Sequence, residues 1–329
     1  VINVYKGKLR KNTLVVLGLY TLLTLFFLFV GFGRGFQLEG MSYNLEFDKI
    51  PLNFPFGREF TIWFFDMGNF FAFIPFGVII PLLYRCTFVR FTLLFILSIT
   101  VIETLQMITG LGAFDVNDIT INTLGAMVGY VSQKVVVSNN DKLEGMVRIL
   151  ITSVVFSVIT IMVVGSVNKY LDTPGPKIAL HDFSNKAEED LSPFVVNQEE
   201  ISPEINKYVL SYTDAFTITS LDEDYKAMTG YVAIADGDFE GSITISFISE
   251  GIVIYEIGFM ASKLDNEWMT FHIPLEGVND LYISYSIDEE EETLTDVILW
   301  DMYLIESNRG QRALHNLNEF ISKLFRNSE

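Results

Sequence analysis

Apolar stretches long enough to cross a bilayer are confined to the first 168 residues of this 329-residue chain. That confinement divides it near Lys169 into two unlike halves. A helix needs about 20 apolar residues to cross the hydrocarbon core. Five stretches qualify, at 14–33, 62–84, 91–109, 119–137 and 147–167, so the sequence predicts an α-helical transmembrane bundle of five spans over 14–168, behind a basic tail at 1–13. The charge follows the same division. Residues 1–170 hold 13 lysines and arginines against 10 aspartates and glutamates, whereas residues 171–329 hold 9 against 31. The net charge of −19 therefore belongs to the second half. So negative a surface repels polynucleotides and anionic headgroups, which excludes a nucleic-acid partner. A lone cysteine, Cys86, excludes an internal disulfide. An exported second half must then fold on packing alone, which suits a Gram-positive, single-membrane bacterium.

The first apolar run follows Lys6, Lys8, Arg10 and Lys11, as a signal peptide would. It is about twice the length of a signal h-region and no small-x-small site follows it, so it is expected to remain as an anchor. These four residues, then Arg85 and Arg90, then Lys134, Lys142 and Arg148 fall in the tail and in alternate loops. The positive-inside bias places those segments in the cytoplasm. Loops 34–61 and 110–118, and everything after Lys169, are then expected outside the cell.

Polar side chains within spans are costly and need a partner or a purpose. Here they fall in pairs: Asp66 with Asn69, Glu103 with Gln106, and Asp118 with Asn122. Spacings of three or four hold each pair on one helix face, and the expected orientation puts all of them, with Asp115, at the outer leaflet. This cluster is a candidate binding site for a membrane lipid or a lipid-linked precursor. Gly125 and Gly129 continue the Asp118–Asn122 face as a small-xxx-small seam that admits a neighbouring helix. The structural alternative makes Asp115 a helix cap with Asp118 in the first turn. Glu103 is harder to explain as packing, although a hydrogen bond from Gln106, Asn69 or Asn122 would serve. Pro75 and Pro81 are expected to kink the second span.

The stretches NFFAFIPFGVIIPLL (69–83) and ETLQMITGLGAFDVNDITINTLGAMVGY (103–130) resemble the VanZ-like family of bacterial membrane proteins. They carry E-x-x-Q followed by D-x-x-D-x-x-x-N-x-x-G-x-x-x-G, and the resemblance covers about residues 10–135. Many members have an arginine shortly before the first aspartate, where this chain has Gly112, Ala113 and Phe114. The resemblance implies a cell-envelope protein, and some relatives are associated with resistance to teicoplanin-type glycopeptides. It supplies no mechanism.

Past residue 171 the pattern changes to alternating β-branched and aromatic runs, at 231–235, 242–248, 252–259, 268–274, 281–287 and 296–305. Such alternation, broken every 8–12 residues or so, predicts an antiparallel sandwich or jelly roll over 169–306. The run Gly241 to Ile305 resembles carbohydrate-binding jelly rolls of the galactose-binding-like group, through Glu250-Gly251, Ile254-Tyr255, Trp268, Gly277 to Leu281 and Trp300-Asp301. Trp268, Tyr282, Tyr285 and Trp300 are candidate glycan contacts, with core packing as the alternative. The acidic run Asp288 to Glu292 reads as a solvated loop, with a calcium site as its rival. His181, His272 and His315 lie too far apart to suggest a metal site, and no metal or other cofactor is expected. Residues 307–329 read as an amphipathic helix, with Leu314, Leu317, Phe320, Ile321, Leu324 and Phe325 on one face and Arg312, Lys323 and Arg326 elsewhere. It suits the outer membrane surface, the sandwich or a partner.

The leading functional expectation is a non-catalytic envelope protein. Its bundle engages a lipid or lipid-linked cell-wall component, and its sandwich contacts cell-surface glycan or an envelope protein. The alternatives are a membrane enzyme using Glu103 and Asp118 as an acid–base pair, and a sensor or scaffold that binds a partner protein. A transporter has least support, since no inverted repeat is visible.

Overall fold

The computed structural model describes residues 4–31, 42–52, 54, 63, 67–136, 143–180, 191–196, 198–211, 215–219, 221, 225–235, 242–260, 268–275, 277–288 and 295–326. Asp66, His181 and Glu289–Glu292 lie outside them. The chain divides into two compact units, one of residues 1–172 with 313–329, the other of residues 173–312.

The helical unit contains α1 (Gly7–Phe29), α2 (Gly68–Leu83), α3 (Phe88–Thr109), α4 (Val116–Val135), α5 (Leu143–Asp172) and, from Ala313 onward, α6 (Arg309–Arg326). Local chemistry sets the helix ends. The Thr87 hydroxyl caps α3 by accepting the Arg90 N–H at 3.3 Å, and Gly110 closes it in the left-handed region at φ 66°. Asp115 caps α4 by accepting the Asn117 N–H at 2.7 Å. Before α4, β1 (Tyr43–Asn44) and β2 (Phe114–Asp115) pair in parallel.

Among the described residues, three helices are long and apolar enough to cross a membrane: α1, α3 and α5. This corrects the expected count of five. The helix in the second stretch has 16 described residues. In the fourth stretch α4 is long enough but too polar, with Asn117, Asp118, Asn122, Gln133 and Lys134 along it. The physical reason is position: ten of its 20 residues are buried, so α4 is sheathed by its neighbours. By contrast, α1, α3 and α5 leave leucines, valines and phenylalanines such as Leu19, Phe26, Leu97 and Val154 exposed, as lipid-facing helices do.

The most extensive helix–helix contact is between α2 and α4, and glycines set its closeness. A Cβ on Gly125 would lie 2.0 Å from the Phe70 carbonyl oxygen, one on Gly129 2.0 Å from that of Ile74, and one on Gly77 1.9 Å from that of Ala126. No side chain fits there. Pro75 and Pro81 both lie within α2, and the Tyr20 hydroxyl donates to the Ala72 carbonyl at 2.8 Å near the turn that Pro75 weakens.

The two ends of this unit differ in charge. At one end the Tyr5 N–H donates to the Leu82 carbonyl at 2.9 Å, Arg10 lies 5.7 Å over the Tyr84 ring and Lys134 4.9 Å over the Tyr130 ring. The Tyr130 hydroxyl donates to the Cys86 carbonyl at 2.9 Å. At the other end Asn168 donates to the Ile50 carbonyl at 2.7 Å, Lys49 pairs with Asp172, and the Asp48 N–H donates to Asn117 at 3.1 Å. Here α6 docks as well. Asn318 accepts the Phe47 N–H at 2.7 Å and donates to the Phe47 carbonyl at 3.0 Å, while Leu317 and Phe320 stay exposed.

The second unit is a two-sheet sandwich. Its strands are β3 (Lys177–Ala179), β4 (Phe194–Val196), β5 (Glu199–Ile201), β6 (Lys207–Leu210), β7 (Phe216–Ile218), β8 (Tyr225–Ile234), β9 (Ser242–Ser249), β10 (Ile252–Met260), β11 (Met269–Pro274), β12 (Leu281–Asp288) and β13 (Val297–Glu306). One sheet has the order β10-β9-β12-β7, the other β11-β8-β13-β3 with β6 also on β13, and β4 pairs with β5. Alternation builds it: along β9, Ile243, Ile245 and Phe247 are fully buried while the residues between face outward. The β9–β10 hairpin turns on Glu250 and Gly251, both at positive φ, as two-residue turns prefer. Along β13 the partner changes from β6 to β3 at Asp301, whose φ is 47°. The Asp301 carboxylate accepts the Glu204 and Ile205 N–H groups, each at 2.8 Å, and Asn206 makes two bonds to the Met302 backbone.

Gly129→Ala is expected to destabilise the helical unit by about 3 kcal/mol through overpacking. Gly18→Ala, where an added Cβ meets nothing within 4 Å, should leave stability unchanged or slightly raised. Melting temperatures of the detergent-purified chains check both.

Candidate functional site

The polar cluster occupies the end of the helical unit away from the arginines. Helix α3 enters this end and α4 leaves it, joined by the short segment 110–115, so equal distances from the join mean similar depth. Glu103 and Asn122 each lie six residues into their helix, about 9 Å at 1.5 Å per residue. Both are buried, at 2% and 1% exposure, as is Gln106 at 2%.

Two contacts tie the cluster together near the mouth. Asn69 donates to the Asp118 carboxylate at 3.0 Å, joining α2 to α4. Asn44 donates to the Asp115 carboxylate at 3.2 Å, so Asp115 both caps α4 and holds the β1 segment. Deeper in, Gln106 donates from Nε2 to the Leu28 carbonyl of α1 at 3.0 Å. Among the described residues, its Oε1 accepts nothing, and neither does Asn122 Oδ1. Two buried carbonyl oxygens without donors are an unusual cost, of about 1–3 kcal/mol each. The structure thus brings Asn69 to Asp118, and places Asn122 one turn below Asp118 on the same face. Gln106 is turned toward α1.

Some participants carry no periodic signal in the sequence. Asn44 and Asn117 hold segment 44–48 over the mouth through side chain to backbone bonds, including Asn117 Nδ2 to the Glu46 carbonyl at 3.1 Å. On the face of α5, Ser153 and Ser157 are buried, and among the described residues their hydroxyls and Gln133 Oε1 of α4 have no partner. The i, i+4 serine spacing is the one sequence signal for these.

On the sandwich the candidate aromatics separate. Trp268 and Tyr282 are exposed, at 46% and 43%. Tyr285 is buried and its hydroxyl donates to the Thr295 carbonyl at 2.8 Å. Trp300, at 4% exposure, is corrected from glycan contact to packing. It lies outside the main core, stacked on Tyr231 with centroids 5.5 Å apart, and Phe194 of the β4–β5 hairpin covers it edge-on at 5.1 Å. Tyr231 in turn meets Trp268 at 5.2 Å, giving a row of four rings in which Trp300 is buried, Phe194 and Tyr231 are half-buried and Trp268 is exposed. Tyr282 stands on the other sheet, where registered neighbours bring Ser284 beside Ser246 and Ser286 beside Thr244. Among the described residues, no group of three or more His, Cys, Asp or Glu side chains gathers to hold a metal ion. His272 lies on β11 and His315 on α6.

Phe194→Ala should uncover Trp300, shifting its emission to the red and costing about 2 kcal/mol, since Phe194 is only half-buried. Fluorescence and acrylamide quenching with Trp63 and Trp268 replaced by Phe would read this directly.

No curated protein matches the chain. Several solved structures resemble part of it, three of them as follows. CBM51 from Clostridium perfringens GH95, in complex with methyl-galactose, is 11% identical over 39% of this chain and 99% of that one, with a TM-score of 0.31. The M60 catalytic domain with the CBM51-1 and CBM51-2 domains from Clostridium perfringens ZmpB is 7% identical over 40% of this chain, which spans only 15% of that one, with a TM-score of 0.31. CsCBM6-3 from Clostridium stercorarium, in complex with cellobiose, is 14% identical over 41% of this chain and 95% of that one, with a TM-score of 0.22. The helices that build the polar cluster fall almost wholly within residues 13–137, which match the VanZ/LLP1 family model.

Proposed function

We propose that this protein binds the polar head of a lipid or lipid-linked envelope component in the cluster of Asn69, Glu103, Gln106, Asp118 and Asn122. One observation carries the reading: among the described residues no donor reaches two buried acceptors, Asn122 Oδ1 at the depth of the buried Glu103 carboxylate and Gln106 Oε1 about one turn nearer the mouth. Acceptors so placed call for a ligand rich in donors, such as a hydroxylated or ammonium head group. Buried polar groups within a membrane bundle are costly, which favours a functional reason for keeping them.

The orientation follows from charge. Arg10, Arg85, Arg90 and Lys134 gather at one end, which the positive-inside bias assigns to the cytoplasm. The opposite end, where Asp172 leads into the acidic sandwich, then faces outward. There the sandwich would meet cell-surface glycan or an envelope protein, with the Ser/Thr-lined face beside Tyr282 and the open edge of Trp268 as its contact surfaces. A link to glycopeptide resistance belongs to the same reading, as an effect of occupying a cell-wall precursor.

Retention of polyprenyl-linked precursors by the purified full chain tests the site. Glu103→Ala and Asn122→Ala should each lower retention about tenfold, the loss expected for a hydrogen bond to a charged or buried partner. Equal retention by variants and parent, with unchanged melting temperatures, would overturn it. Cysteines placed singly at Glu46 and Arg148 in a Cys86→Ser chain should react with impermeant maleimide from outside the cell at 46 alone.

A further inference from the structure

At the opposite end, between α2 and α3, lies a cavity of about 410 Å³ that the lipid-head reading does not use. Arg85 and Arg90 line it at its charged end, and Ile80, Phe91, Leu94 and Phe95 form its apolar walls. Both arginines are exposed, and neither is paired with a carboxylate among the described residues. The groove follows α3 from Arg90 to Ser98, eight residues or about 12 Å of helix. That carries it well into one leaflet. The α3 surface beside it is apolar and exposed, with Leu93 and Leu97 facing outward, so its lower part opens onto hydrocarbon and not onto water.

A guanidinium pair above an apolar groove is complementary to one kind of occupant. We infer that this groove is a binding site for an acidic glycerophospholipid, its phosphate held by Arg85 and Arg90 and one acyl chain lying along Phe91, Leu94 and Phe95. Arginine suits the head because its planar fork pairs with phosphate oxygens in a bidentate way. Basic pockets between membrane helices attract acidic head groups for the same reason. The apolar walls select a lipid over free phosphate, which could satisfy the arginines but leaves the groove empty. Tyr84 lines the charged end, and Arg10, 5.7 Å over its ring, places a third cation beside it.

Native mass spectrometry of the full chain, released from micelles doped equally with phosphatidylglycerol and phosphatidylcholine, tests the assignment. Phosphatidylglycerol should be retained preferentially. The double variant Arg85→Gln/Arg90→Gln should lower its retention about thirtyfold, the factor two cationic contacts provide. Leu94→Trp, which fills the groove without changing charge, should lower it too. Arg148→Gln, which removes a cation paired with Glu144 elsewhere, should leave it unchanged. Equal retention of both lipids, or a loss on Arg148→Gln matching the double variant, would overturn the site. Displacement of the lipid by excess inorganic phosphate, with no effect of Leu94→Trp, would reduce it to an anion site and overturn the lipid assignment.

Discussion

The close backbone approach of α2 and α4 is the contact on which the helical unit depends. Gly77, Gly125 and Gly129 let carbonyl oxygens of each helix sit where a Cβ would otherwise be. A helix as polar as α4 is poorly suited to lipid. Drawn against α2 and flanked by α3 and α5, it keeps its amides and carboxylates inside, and the apolar surface of the unit is left to the outer helices. The same approach sets Asn69 beside Asp118, so the geometry of the candidate site follows from the absence of three side chains.

Much of this is legible from residue order alone. The long apolar helices α1, α3 and α5 answer to length and composition, and the D-x-x-D-x-x-x-N-x-x-G-x-x-x-G spacing places Asp118, Asn122 and the glycines on one face. Alternation marks the main sandwich strands because one face of each sheet is buried. Length and hydropathy are read one helix at a time, however, whereas burial belongs to the group. That is why 119–137 reads as a fifth span and α4 proves to be an enclosed helix. Trp300 escapes for a related reason: its cover, Phe194, lies more than a hundred residues earlier, on a three-residue strand with little pattern of its own. Asn318 likewise gives no hint that it would bind both backbone groups of Phe47.

Charge and hydrogen bonding give the helical unit a direction. Arginines collect at one end over a groove that deepens into apolar walls, and carboxylates and amides collect at the other around buried oxygens that have no donor among the described residues. The two proposed head-group sites thus lie at opposite ends of one bundle, with the α2–α4 seam between them.

The strand that begins the sandwich unit and the one that ends it run side by side. The Gly175 N–H donates to the Glu306 carbonyl at 3.0 Å, the Glu306 N–H returns to Pro176 at 3.0 Å, and Asn308 reaches the Thr173 carbonyl at 2.6 Å. A module whose two termini meet can be lost, gained or exchanged by a host chain with little disturbance to what lies on either side. Evolution can therefore vary this module while the helices that precede and follow it in the chain continue unchanged, like one tool handle accepting different heads.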